Sequence, residues 1–141
     1  MADYSVTAAS LQASSGAERQ TQYNAGATLA IGDSVYLGAS NTWIQTDANA
    51  ASTGNGVADL RGIVESAGNS GQRISVITKD PALVLGATLV KGAVVVLSAN
   101  AGKFAPSSDL AAGWYRVVAG VAASTTVVNF NPNVLASGAT D

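Results

Sequence analysis

The feature that most constrains this chain is a sentence written twice. Residues 26–37 read GATLAIGDSVYL, and residues 86–97 read GATLVKGAVVVL. Both fit G-A-T-L-x-x-G-x-x-V-x-L, sixty positions apart. In each copy glycines flank the Thr-Leu pair and are expected to act as backbone devices, allowing a bend that other residues resist. Leu29 and Leu89 are placed inward between the bends. In the strand that follows, a period of two puts Val35 with Leu37, and Val95 with Leu97, on one face. That face is assigned to a shared core.

The repeat runs past its twelve residues. GASNTWI follows the first copy and SANAGKF the second, each a turn leading into an aromatic, Trp43 or Phe104. Further on, LRGIVESA (60–67) lies against VAGVAAST (118–125) with a spacing nearer 58. The unit reads as strand, kink, strand, hairpin, strand, used twice. Neither half could bury its apolar face alone, which is the physical logic of internal repeats.

Between the glycines lie short β-branched runs: RISVIT (73–78), AVVVL (93–97), WYRVVAGVA (114–122) and TTVVNFN (125–131). Such runs, separated by Gly, Asn and Ser, read as strands and tight turns. No segment repeats apolar residues at helical spacing over ten or more positions. A single helical turn at Asp47–Ala51 competes with a loop, and Gly54-Asn55-Gly56 favours the loop. The expected class is all-β, a small barrel or sandwich built from two pseudo-repeats, with extended polar termini. A single β domain is expected over 26–131, with repeats near 26–66 and 86–125. Residues 1–25 form an N-terminal arm or first strand, and 132–141 a C-terminal tail. Lys79-Asp80-Pro81 reads as a charged strand end.

The copies differ on their second face. Ser34 and Tyr36 in the first are replaced by Val94 and Val96 in the second. The first copy is therefore expected to tolerate water. Val94 and Val96 are assigned to a subunit interface, with coverage by the chain's own loops as the competing reading. Burying each valine contributes about 1.5–3 kcal/mol.

Composition narrows the function classes. Only 11% of the 141 residues are charged, against about 25% in typical soluble domains. Either the surface is a neutral β surface, or partners cover much of it. Seven scattered basic residues and a net charge of −2 argue against nucleic acid, which needs clustered Lys and Arg. Without cysteine or histidine there is no disulfide, thiolate nucleophile, histidine base or Cys/His zinc site. The N-terminus has no secretory pattern. No apolar run reaches the roughly 18 residues that argue for a membrane helix.

The nine acids are Asp3, Glu18, Asp33, Asp47, Asp59, Glu65, Asp80, Asp109 and Asp141. None lies within four positions of another, and most sit in turn-like contexts, where Asp bonds nearby amides. Asp47 and Asn49 have the first spacing of a calcium loop, but no further ligands follow. No phosphate-binding glycine motif is present. No enzyme, cofactor or metal is expected. Trp43, Trp114 and Tyr115 could stack on sugars, although aromatics in such a chain more often anchor a core or interface.

Taken together, MADYSVTAA, GATLAIGDSVYL, LRGIVESA, GATLVKGAVVVLSANAGKFAP and DLAAGWYRVVAGVAASTTVVNFN resemble the small capsid cement, or head decoration, proteins of tailed bacteriophages. The resemblance runs from about residue 1 to 131 and is weakest over 46–59. It implies a β-rich structural virion protein, made in the host cytoplasm, that adds to the outer surface of an assembled head. It also implies a homotrimer at three-fold positions, partnered by the major capsid protein and bridging its subunits. Tyr4, Val6 and Leu11 in the arm are then the expected capsid contacts. The rival readings are another virion β-domain, tail or fibre associated, a carbohydrate-binding module using Trp43 or Trp114, and a small carboxylate-pair hydrolase.

Overall fold

A computed structural model describes residues 3–38, 41–46, 62–98, 102–107 and 117–134. These residues are all-β, apart from one 3-10 turn at Ala8–Ser10. The strands are β1 (Glu18–Gln20), β2 (Asn24–Ala25), β3 (Ser34–Leu37), β4 (Thr42–Gln45), β5 (Gly62–Val64), β6 (Val76–Val84), β7 (Val94–Leu97), β8 (Phe104–Pro106), β9 (Val117–Ala122) and β10 (Val127–Val134). They form one sheet in the order β2-β4-β3-β5-β6-β10-β9-β7-β8, with β1 added to β6. The order is symmetric about the β6–β10 pair: β4-β3-β5-β6 on one side mirrors β8-β7-β9-β10 on the other.

The duplication is visible bond by bond. Leu37 lies opposite Trp43 in the β3–β4 ladder, and Leu97 lies opposite Phe104 in β7–β8. Val35 pairs with Gly62, and Val95 with Gly120. The Gly32 N–H donates to Val64 O at 2.9 Å, and the Gly92 N–H to Ala122 O at 2.7 Å. Both glycines hold a left-handed conformation, with φ of 94° and 85°, which a side chain would strain. The hairpin turns match too: Asn41 (φ 57°) stands two residues before Trp43, and Gly102 (φ 77°) two before Phe104.

The apolar interior is not the single shared core expected from the repeat. The larger cluster takes Leu89, Val95, Leu97, Phe104, Val128 and Phe130 from the second half, and adds Ile63 and Ile77 from the first. A smaller cluster holds Leu29, Val35, Trp43, Val64, Ile74 and Val76, with Leu37 only half-buried at its edge. Two cores arise because β6 passes from one half to the other and feeds both. Val76 belongs to the smaller cluster, and Ile77 and Leu83 to the larger.

Strand β6 also corrects the reading of Lys79-Asp80-Pro81 as a strand end. The ladder to β10 registers Leu83 with Val128 and Asp80 with Phe130, so two β6 residues face one on β10. This bulge falls at Pro81 and Ala82, where a residue without an N–H fits. Asp80 is fully buried. Its carboxylate accepts the Ala82 N–H at 3.0 Å and the Ser14 N–H at 2.8 Å, and bonds the Ser14 hydroxyl. The arm is thereby tied along β6, with Gln12 and Val84 exchanging two backbone bonds.

The same tying packs Tyr4, Val6 and Leu11, the expected capsid contacts, onto the chain itself. All three are partly buried against the chain's own larger core. The Tyr4 N–H donates to Phe104 O at 2.9 Å, and the Thr7 N–H to Gly86 O at 2.8 Å. At the other end, β10 continues through Pro132 to Val134, three residues into the expected tail; residues 135–141 lie outside the described residues.

Two glycine substitutions should separate space from conformation. A Cβ on Gly120 would lie 2.0 Å from Asn129 O, whereas one on Gly92 meets nothing within 4 Å. Gly120→Ala is expected to cost about 3 kcal/mol or more. Gly92→Ala should cost only the left-handed penalty of about 1–2 kcal/mol. Urea unfolding measures both. Separately, Asp80→Ala should lose about 2–3 kcal/mol and make the arm ahead of Gly16 sensitive to limited proteolysis.

Candidate functional site

On the outer face of the second half, the structure divides the two valines assigned to an interface. Val96 is 1% exposed within the single chain. It is already covered and has no surface to offer a second subunit. Val94 is half-buried and pairs across the ladder with Val121, which is 45% exposed. Val90 is 70% exposed and sits in the tight turn before β7, where its carbonyl accepts the Ala93 N–H at 2.9 Å. The open apolar residues here are therefore Val90, Val94 and Val121. Val121 was not singled out in the sequence, because its exposure depends on β9 lying between β7 and β10.

The first half corrects the other side of the comparison. Ser34 and Tyr36 do not face water: Ser34 is fully buried and Tyr36 is 9% exposed. The Ser34 hydroxyl bonds Thr46 Oγ1 at 2.6 Å, so the buried polar atoms satisfy each other. The Gly102 backbone of the second half closes over them, accepting the Ser34 N–H at 3.0 Å and donating to Thr46 O at 2.9 Å.

A concavity lies where β6 and β10 part. Their ladder ends at Asp80 and Phe130. Beyond it β6 runs between β1 and β5, while β10 continues beside β9 alone. The fork opens a cleft of about 620 Å³ lined by Glu18, Gln20, Tyr23, Leu37, Trp43, Thr78, Lys79, Asn131 and Pro132. Tyr23 meets Trp43 edge-on, with ring centroids 6.1 Å apart and planes at 77°. Trp43 is 2% exposed, so it backs the wall rather than offering a stacking face; its indole N–H has no hydrogen-bond partner among the described residues. Tyr23 is half-buried and lines the cleft. Glu18 and Lys79 are partners in the β1–β6 register, one charge of each sign. These residues come from three stretches far apart in sequence, 18–43, 78–79 and 131–132. Only the fork gathers them, and no local motif marks them.

Two further acids hold structural bonds. Asp33 accepts the Ala30 N–H at 2.9 Å and Gln45 Nε2–H at 3.0 Å, a turn role. Asp3 accepts from the Ser98 hydroxyl. Among the described residues no three acidic side chains gather as a metal site would require. Asp47, Asn49, Gly54–Gly56, Asp59, Asp109, Trp114, Tyr115 and Asp141 lie outside the described residues. No family model matches the sequence, and no curated protein or solved structure shows significant similarity to it.

One ion pair ties the first half to the arm. Arg19 grips Glu65 at both ends, Nε–H to Oε1 at 2.7 Å and Nη2–H to Oε2 at 3.0 Å. The Ser75 hydroxyl adds a bond to Oε1 at 2.9 Å. The Arg19 hydrogen bond holds the Glu65 carboxyl below its ordinary value, against partial burial, which pushes it up. A lowered folded value stabilises the protein above the unfolded value of 4.5. That contribution is lost as pH falls through the folded value. The melting temperature of wild type should therefore exceed that of Glu65→Gln by a small, constant margin at neutral pH. The margin should close in acid and shrink with added salt, since the pair is part-exposed.

Proposed function

We propose that this protein is a structural component of a phage virion that binds the outer surface of an assembled capsid and stabilises it by bridging neighbouring capsid subunits. The observation that carries the reading is the doubled framework with unequal outer faces. Apart from MADYSVTAA in the arm, the motifs that resemble capsid cement proteins fall largely on the two copies of one hydrogen-bonded unit. The second copy alone leaves Val90, Val94 and Val121 open.

In this reading the protein acts by mass action. A ligand that binds the assembled lattice and not its separated subunits lowers the free energy of the lattice. As a homotrimer it would touch several copies of the major capsid protein at once, and the linked contacts multiply into avidity when the geometry permits simultaneous engagement. With 11% charged residues, contacts made through neutral surface would weaken only modestly with salt.

Undecorated, expanded heads mixed with the purified protein and pelleted should saturate at a multiple of the three-fold sites. Mass photometry should give a trimer. Val121→Asp, on an exposed position, should keep the wild-type melting temperature and weaken head binding roughly tenfold or more. Failure of the wild-type protein to pellet with heads, or binding confined to tails, would overturn the reading. Head binding unchanged in both Val94→Asp and Val121→Asp would remove the outer valines from it.

A further inference from the structure

We infer that the cleft at the β6–β10 fork is a binding site for a neutral carbohydrate. The inference stands apart from the capsid reading and rests on the chemistry of the lining. At about 620 Å³ the cleft is in the range of small-ligand sites, roughly 300–1,000 Å³. Its walls mix two kinds of surface. Tyr23, Leu37, Trp43 and Pro132 supply apolar and aromatic area, and Gln20, Thr78, Asn131, Glu18 and Lys79 supply donors and acceptors.

That mixture excludes most ligand classes. A phosphate or nucleotide needs several cations or a nest of amides. The only cation in the lining is Lys79, and it sits in register with Glu18. A metal needs grouped ligands, and none gather among the described residues. A lipid or other wholly apolar ligand would strip water from five polar side chains and give them nothing in return.

A pyranose suits both surfaces. Its C–H face packs on an aromatic ring, and its hydroxyls both donate and accept. Amide, hydroxyl, carboxylate and ammonium groups satisfy them without requiring charge on the ligand. Tyr23 is the platform. It lines the cleft, is only half-buried, and is oriented by its edge-on contact with the buried Trp43. Asn131 and Gln20 are exposed and stand on opposite walls, β10 and β1. A sugar seated on Tyr23 therefore meets an amide from each side of the fork. This moves the sugar platform from Trp43, whose face is covered, to its neighbour.

The full chain, labelled with nitrogen-15, should be titrated with maltoheptaose, cellohexaose and N-acetylchitohexaose, and separately with inorganic phosphate. The expected result is saturable shift changes with at least one glycan, centred on Tyr23, Thr78, Lys79, Asn131 and the Trp43 indole N–H. Phosphate should leave those signals unmoved. Tyr23→Ala should weaken that binding about tenfold. Because Tyr23 also packs on the smaller core, the exposed Asn131→Ala provides a second reading. It should weaken binding several-fold at unchanged melting temperature. Three results would each overturn the inference: no saturable shift with any glycan at roughly 10 mM, shifts confined to residues outside the cleft, or the same shifts produced by phosphate.

Discussion

A nine-residue strand that belongs to both halves of the sheet is the constraint on which the rest depends. The first part of β6 lies between β1 and β5. Its second part lies between the arm at Gln12 and β10. A strand flanked this way turns Val76, Ile77, Asp80 and Leu83 inward, while Lys79, Pro81 and Ala82 stay exposed. The change occurs at Asp80 and Pro81, which carry a charge and lack an N–H. A buried carboxylate is costly unless hydrogen bonds replace its water. Here Ser14 supplies the replacement from the arm, and Ala82 from the bulge itself. The arm is thus part of the junction. It satisfies the one charge that the shared strand buries, and its own apolar side chains Tyr4, Val6 and Leu11 then close over the larger core.

Sharing a strand also explains why two copies of one unit cannot keep identical surfaces. Gly102 of the second half, just ahead of β8, pairs with the backbones of both Ser34 and Thr46 of the first. A face covered in this way must satisfy polar atoms in the dark, and the Ser34–Thr46 hydroxyl pair does so. Asp33 and Gln45 form a further polar link in the first copy; Ala93 and Pro106 stand at the matching positions of the second. The corresponding face of the second copy is covered at Val96 but open at Val94. A chain that wraps one half over the other leaves one outer face unpaired, and valine is what this chain places there.

What was legible in the sequence was the local grammar. The 60-residue offset of GATL, the aromatic after each hairpin and the slipped offset of 58 at Gly62 and Gly120 all correspond to registered pairs. Each depends on backbone geometry within a few residues, which composition can encode. What was not legible depended on partners distant in the chain. Alternation placed Ser34 and Tyr36 opposite the core correctly, but nothing nearby showed that Gly102 would cover them. Asp80-Pro81 has the composition of a strand end, and only the facing β10 turns it into a bulge. Leu29 and Leu89 are equivalent in the repeat yet lie in different cores, because β6 delivers Ile77 and Leu83 across the boundary. Trp43 was visible as the aromatic after the first hairpin and as a sugar-stacking candidate, and Leu37 and Lys79 had local readings of their own, but nothing nearby showed that a fork would gather them with Tyr23 and Asn131.

The fork follows from the shared strand for the same reason. Two strands that pair over part of their length and then join different neighbours must separate, and the gap is lined from both sides. Here one wall comes from β1, β3, β4 and β6, and the other from β10. The ladder itself cannot extend into this gap, since Pro132 has no N–H to donate. A molecule held there would touch both branches of the fork, so its binding free energy would add to the stability of the β6–β10 junction. The junction sits beside the row that runs from Asn129 on β10 through Val121 to Val94. Occupancy of the cleft and rigidity of the outer face therefore draw on one set of backbone bonds. That shared set links the interior of the fork to the outer face that carries Val94 and Val121.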